Sequence, residues 1–181
     1  MEVRKNRWDE RYERDGFMFG TRPNDFLAAN TGAIHGRRVL AIGDGEGRNG
    51  VFLAERGFDV TTVDGSQVGV TKARRLAAER GVPLDANTGD LADYELGNER
   101  WDAVVSIFVH LPAELRRDVH ARIVRSLAPG GVLLLEAYTP KQLEYRTGGP
   151  PVAELMMTAE LLREDLAGVA FERLAEIERD V

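Results

Sequence analysis

Residues 37–64, RRVLAIGDGEGRNGVFLAERGFDVTTVD, leave the chain few folds to choose from. RRVLAI (37–42) is a short apolar run that breaks into glycines, as a buried strand does when it feeds a tight turn. From Gly47 the apolar positions turn helical, with Val51, Phe52 and Ala54 ahead of a stop at Gly57. FDVTTVD alternates and is rich in β-branched residues, so a second strand is predicted to end at Asp64. A strand, a helix and a strand within about thirty residues make a βαβ unit, whose two strands run parallel.

The same alternation continues downstream. Ser66 is placed to cap a helix with Val70, Ala73, Leu76 and Ala77 on one face, closed by Gly81. A weaker strand at 84–88 leads to Gly89 and Asp90, and WDAVVSIFV (101–109) reads as a buried strand. Leu111-Pro112 then opens a helix in which Leu115, Val119, Ile123 and Leu127 repeat at four-residue spacing. GVLLLEAY (131–138) is another buried strand, Thr158 caps a last helix over 159–167, and a strand-like segment is expected over 169–179. Strands alternating with helices of this length predict an α/β fold with a doubly wound, mostly parallel sheet. Segment 139–157, TPKQLEYRTGGPPVAELMM, has no single period and carries Gly-Gly-Pro-Pro, so it is expected to be a substrate loop.

With 181 residues the chain is expected to be a single domain (1–181) with its own core and no separate substrate domain. It contains no cysteine, which excludes disulfides, thiolate-metal sites and a cysteine nucleophile and is compatible with a reducing cytoplasm. Three scattered histidines lack metal-ligand spacing, so no metal is expected. A net charge of -6 argues against a general grip on nucleic acid and suits a small polar ligand. No apolar stretch reaches the roughly 20 residues needed to span a bilayer, and MEVRKNRWDERYERD is too charged for a signal peptide; a soluble cytoplasmic protein is expected.

AIGDGEGRNG (41–50) holds two nucleotide-loop patterns at once. Gly43, Gly45 and Gly47 make G-x-G-x-G, which suggests an adenosyl-sulfonium cofactor, whereas Gly45, Gly47 and Gly50 make the dinucleotide fingerprint G-x-G-x-x-G. The first glycine of that fingerprint normally follows the strand directly, and here that residue is Gly43. Counted from Gly43 the sixth residue is Arg48, so the dinucleotide pattern fails. Asp44 and Glu46 would also repel a pyrophosphate and attract an ammonium or sulfonium. Asp64 can bind a ribose diol in either register.

Outside the loop, VLAIGDGEGRNGVFLAERG, VDGS, Gly89-Asp90-Leu91, WDAVVS and SLAPGGVLLLE follow the order and spacing of class I S-adenosylmethionine-dependent methyltransferases. The chain resembles that family over residues 37–138. WDERY, FGTRPNDFL (19–27) and the Arg48-Asn49 pair are similar to the small bacterial tellurite-resistance and thiopurine-type members. The resemblance implies a Rossmann-like fold that moves a methyl group from S-adenosylmethionine to a small-molecule acceptor; the acidic balance speaks against nucleic acid as a partner, and no membrane partner is expected. It implies that Gly43, Gly45 and Gly47 pass beneath the amino-acid and ribose portions of the cofactor, with Arg48 at the exit of the loop. Asp64 would hold the ribose hydroxyls, Gly65 and Ser66 would line the adenosine, Asp90 and Leu91 would hold the adenine, and Ser106 and Ile107 would flank the methionine part.

Two departures from the family carry consequences. Many members have an acidic residue where this chain has Ala41; Asp44 is the preferred replacement, with Glu46 as likely to face solvent. Members also finish with two more strands, and nothing here matches the seventh. The fifth-strand edge would then be covered by the sixth strand or by a second protomer in a homodimer, or the chain is a shortened form of a longer protein.

Trp8 and Tyr12 are one helical turn apart, so both rings can lie on one face of an N-terminal cover (residues 1–30) beside a sulfonium. Methyl transfer is an in-line displacement and needs a general base only if the acceptor must lose a proton; His110, just past the fourth strand, is the candidate. Phe19, Tyr138, Tyr145 and Arg146 are the candidate acceptor residues. Two alternatives stay open: a non-catalytic module that binds S-adenosylmethionine, and a nicotinamide-binding protein using Gly45, Gly47 and Gly50.

Overall fold

The computed structural model describes residues 7–180. In chain order they form α1 (Arg7–Tyr12), α2 (Asp25–Asn30), β1 (Arg38–Ile42), α3 (Arg48–Glu55), β2 (Asp59–Asp64), α4 (Gln67–Arg80) and β3 (Asp85–Thr88). There follow β4 (Trp101–Ile107), α5 (Ala113–Ser126), β5 (Leu127–Glu136), α6 (Gln142–Tyr145) and α7 (Ala159–Asp165). The strands make one sheet in the order β3-β2-β1-β4-β5, and every pairing is parallel. The order reverses beside β1, so the loops after β1 and β4 flank the switch point where ligands of such sheets bind.

Burial explains the order. β1 and β4 are central and almost wholly buried, and their apolar residues feed both faces. Val39, Ala41, Ala103 and Val105 pack on Leu27, Phe52 and Leu53, while Leu40, Ile42 and Val104 pack on Val119 and Ile123 of α5. The expected caps form: Ser66 Oγ accepts from Gly69 N (3.0 Å), Thr158 Oγ1 accepts from Leu161 N (3.2 Å), and Gly81 ends α4 at φ 68°. β5 starts four residues earlier than the apolar run suggests, with a register break between Trp101 and Ala103 where Pro129-Gly130-Gly131 bulges.

The strand expected over 169–179 does not form. Phe171, Leu174 and Ile177 recur every third residue, a spacing that cannot keep apolar side chains on one face of a period-two strand, and Ile177 is 62% exposed. The segment is irregular, and its side chains reach back individually. Val169 and Leu174 join Met157, Leu162 and Leu166 over Leu133, Leu135 and Ala137. Arg179 grips Glu136 (Nε 2.9 Å, Nη2 2.5 Å to Oε1), and Glu176 accepts from Ala159 N at 2.7 Å. Among the described residues β5 pairs with no strand beyond β4. A buried cluster fastens α7 to α5: Arg116 Nε and His120 Nδ1 both meet Asp165 Oδ2, at 2.6 and 3.1 Å.

Candidate active site

β1, β2 and β4 end side by side, and the loops leaving them converge. Gly43 N donates to Val63 O (2.7 Å), holding the start of the glycine loop against β2. Asp64, the last residue of β2, accepts from Gly45 N and from Ser66 N, each at 2.8 Å. One carboxylate therefore fixes both the glycine loop and the entry to α4. Burial raises its pKa, and the two backbone donors oppose the rise.

Asp44 faces the first turn of α3, where its Oδ2 accepts from Gly50 N at 3.0 Å. It is half-buried, and burial foremost, with Asp64 adding to it, raises its pKa to about 7; Gly50 N–H, Arg48 and Asn49 act the other way. Among the described residues neither Asp44 nor Asp64 forms an ion pair. Asp44 thus ties the glycine loop to the first turn of α3. Glu46 does not face solvent as the sequence allowed: only 5% exposed, it accepts from Met18 N (2.6 Å) and pairs with Lys72 (2.8 Å).

The third glycine of the apparent dinucleotide pattern has a packing reason. A Cβ on Gly50 would lie 2.4 Å from Thr62 Cγ2 of β2 and 2.6 Å from Asp44 Oδ2. Gly50→Ala is expected to lower stability by about 1–2 kcal/mol through overpacking, read as a fall in thermal midpoint. Gly45 has φ 57° and lies directly under Tyr12, whose hydroxyl would be 2.5 Å from a Cβ there.

The N-terminal cover sits on this loop. Trp8 and Tyr12 stack at 5.4 Å between centroids, as their spacing predicts. Tyr12 points inward, 5% exposed, and burial together with Asp64, Glu46 and Asp44 pushes its phenol pKa upward. Trp8 lies outward, 39% exposed, with the Arg11 guanidinium 4.9 Å from its ring. Asp9, which the sequence did not single out, accepts from Ser66 Oγ (2.5 Å) and Val68 N (3.2 Å) at the start of α4.

The remaining candidates divide. Ser106 and Ile107 are buried at the end of β4 and Leu91 is buried in the turn after β3, whereas Asp90 is exposed and its carboxylate accepts from Ala92 N (2.9 Å). Gly65 is exposed beside Ser66. Arg48 reaches back to the cover, donating to Phe19 O at 3.4 Å with its guanidinium 5.8 Å from the Phe19 ring. Tyr138 stacks on Phe108 (4.5 Å) and His110 (5.7 Å), and its phenol pKa is raised by burial and by Glu136. Phe108 adopts φ 56°, a left-handed conformation costly for a phenylalanine, at the turn out of β4.

His110 is held at both ring nitrogens: Nδ1–H donates to Leu155 O (2.8 Å), and Nε2 accepts from Tyr138 N at 3.4 Å. Burial lowers its pKa, so near neutral pH it is an uncharged imidazole. Tyr145 and Arg146 lie exposed in the 139–157 loop, where Tyr145 meets Glu178 and Lys141.

Three residues given no site role from the sequence, Asn24, Asn49 and Glu136, complete the frame. Asn24 caps α2 through Leu27 N (3.0 Å), takes Asn49 Oδ1 on its own N–H (2.9 Å) and donates Nδ2 to Glu136 Oε2 (2.7 Å). Asn-Asp before an apolar run signals the cap, but nothing local signals Asn49 or Glu136. Asn24→Ala is expected to cost about 1 kcal/mol of stability, read from denaturant midpoints, because both the cap and the β5 tie are lost.

A cavity of about 470 Å³ opens at the opposite edge of the sheet, between Arg38, Phe58, Asp59, Leu84, Asp85 and Trp101. It lies at the amino ends of the strands, away from the converging loops, and is not the candidate site.

The methyltransferase-domain family matches over residues 39–131, from β1 into β5. A 2-heptyl-1-hydroxyquinolin-4(1H)-one methyltransferase of Mycobacteroides abscessus is 30% identical over 127 residues, covering 68% of this chain and 56% of that protein. A ubiquinone biosynthesis O-methyltransferase of Alkalilimnicola ehrlichii is 31% identical over 126 residues, covering 67% and 49%. The chain thus spans about half the length of the curated relatives it matches. Among solved structures, the [4+2]-cyclase SpnF superimposes with a TM-score of 0.61 at 27% identity over 78% of this chain and 53% of that one. No helix among the described residues is long and apolar enough to cross a membrane. The match over residues 39–131, more than half of the chain, shows that the chain belongs to the methyltransferase-domain family.

Proposed function

We propose that the protein transfers the methyl group of S-adenosylmethionine to a small-molecule nucleophile, through sulfur, selenium, nitrogen or oxygen. The observation that carries this reading is the pair Asp44 and Asp64, two carboxylates at the mouth of a glycine loop with no ion pair among the described residues. Such a loop repels a pyrophosphate and favours a cationic ligand that also offers a ribose diol. The cofactor supplies a sulfonium methyl, a group that needs alignment more than side-chain chemistry. In this reading Asp64 receives the ribose hydroxyls, Asp44 provides counter-charge for the ammonium and sulfonium, Leu91 lies beside the adenine, and Ser106 and Ile107 flank the methionine part. Tyr12 closes the site against water.

Phe19, Arg48 and Tyr138 flank the acceptor side, with Tyr145 and Arg146 at its outer rim. His110 serves as base for acceptors that must lose a proton, through the Nε2 that the long Tyr138 contact engages only weakly. The relatives named for a hydroxyquinolone and for ubiquinone biosynthesis support an aromatic hydroxyl acceptor. The WDERY, FGTRPNDFL and Arg48-Asn49 motifs support kinship with the tellurite-resistance and thiopurine type. The same reading carries a cytoplasmic protein whose residues 1–181 fold as one domain and pair as a homodimer through the outer edge of β5; a monomeric mass in light scattering at high concentration would overturn the dimer.

The test is calorimetry with S-adenosylhomocysteine, followed by a turnover screen over thiols, selenols, amines and aromatic hydroxyls. Absence of binding would sink the reading, and thermal protection by NAD alone would restore the dinucleotide register. The cyclase on a similar fold makes the turnover arm necessary: binding without transfer to any acceptor would make this a non-catalytic binding module.

A further inference from the structure

Lys72 lies on the face of α4 that meets the N-terminal cover, and its ammonium is fully coordinated. Nζ donates to Arg14 O (2.9 Å), Gly16 O (2.7 Å) and Glu46 Oε1 (2.8 Å), so three acceptors match its three N–H donors. The other oxygen of Glu46 accepts from Met18 N at 2.6 Å. Both side chains are withdrawn from solvent, 12% and 4% exposed, and the Phe17 ring lies 5.9 Å from Nζ. Two side chains thereby join three pieces of chain: residues 14–18, the glycine loop and α4.

The segment they seize directly follows α1, whose Tyr12 lies on Gly45 and whose Asp9 holds Ser66 and Val68. If residues 14–18 lift away, Lys72 loses two of its three acceptors and Glu46 loses the Met18 donor. The cover is thus released at its inner end. A ligand lying beneath it leaves at a rate set by how often the cover opens.

We propose that Lys72 and Glu46 are a positioning pair that clamps the N-terminal cover onto the glycine loop and thereby sets how long the cofactor stays bound. The proposal rests on the reading above that this loop is the cofactor site. Neither side chain touches a reacting atom, so the pair governs binding and release and not the transfer step.

The experiment uses the full chain as wild type, Lys72→Met, Lys72→Arg and Glu46→Gln. Amide exchange is followed in the ligand-free protein, then S-adenosylhomocysteine release by stopped flow, then steady-state kinetics. Lys72→Met is expected to lose about tenfold in protection across residues 8–18, with Met18 N–H the most sensitive, and to release the product about tenfold faster. KM for S-adenosylmethionine should rise in step while kcat changes by less than about threefold. Glu46→Gln, which keeps volume but loses charge and one acceptor, should show a smaller loss, and Lys72→Arg should recover part of the protection.

Unchanged protection and release in a folded Lys72→Met would overturn the proposal, as would a fall in kcat with release unaltered. Should Lys72→Met not fold, Glu46→Gln and Lys72→Arg decide the question by the same exchange readout. A wild type that binds no S-adenosylhomocysteine would defeat the cofactor reading and the residence-time claim with it, whereas the exchange arm would still decide whether the clamp exists.

Discussion

Asp64→Ala is expected to weaken S-adenosylhomocysteine binding by about 100-fold or more, roughly 3 kcal/mol, while the protein remains folded. Two effects add. The carboxylate is the proposed acceptor for both ribose hydroxyls, and hydrogen bonds to a charged group are worth about 1.5–3 kcal/mol each. The same two oxygens hold Gly45 N and Ser66 N at 2.8 Å, so alanine also frees the loop that passes beneath the ligand. Asp64→Asn should fall between, since its amide oxygen can serve one backbone donor while its NH2 faces the other. Calorimetry gives the affinities and a thermal melt shows that each variant is folded. Wild-type affinity in a folded Asp64→Ala would remove this residue from the site.

Asp44→Asn is expected to act in opposite directions on stability and on binding. In the ligand-free protein the Asp44 pKa lies at about 7, raised from 3.8 chiefly by burial. Between those two values the folded state holds a proton that the unfolded state has released. The contribution of this group to stability is therefore complete below the unfolded value and is lost as pH rises through about 7. Asparagine keeps an oxygen for Gly50 N and carries no charge, so at pH 8 the variant should be more stable than wild type, by about 2–4 kcal/mol. Below pH 4 the gain should vanish.

His110 and His120, both lowered by burial, work against this trend by costing stability as pH falls through their unfolded value. The difference between variant and wild type at each pH therefore isolates Asp44. Binding should move the other way. If Asp44 is the counter-charge to the cofactor, wild-type affinity rises with pH through about 7 and falls again when the amino group of the cofactor loses its proton near 8, and Asp44→Asn flattens the rise. Parallel pH profiles for the two proteins would show that Asp44 anchors the loop only.

The two aspartates differed in how far the sequence revealed them. Asp64 closes an alternating β-branched strand, and its place followed from periodicity and from the resemblance. The duty of Asp44 did not, because it depends on the side chain folding back onto Gly50 N, a choice made by the helix turn that follows. Glu46, two residues away in the same loop, looked equivalent and is not. It lies buried because Lys72, 26 positions on, comes round on α4 to meet it. Asn24 and Glu136 stand 112 residues apart and touch because α2 packs against β5, an adjacency that no local pattern encodes.

The sequence by itself determined the α/β alternation, the parallel sheet, the caps at Ser66 and Thr158 and the glycine loop after the first strand. These features rest on neighbours a few residues apart, whose spacing is visible in the chain. It misjudged segment 169–179, where apolar content suggested a strand but a three-residue spacing could not build one. The tertiary structure alone decided which carboxylate anchors the loop, why Gly50 must be glycine, and how the cover is fastened. Those outcomes turn on which buried polar groups meet across the fold. A buried charge or N–H must find a partner, and only the packed chain fixes which partner is within reach.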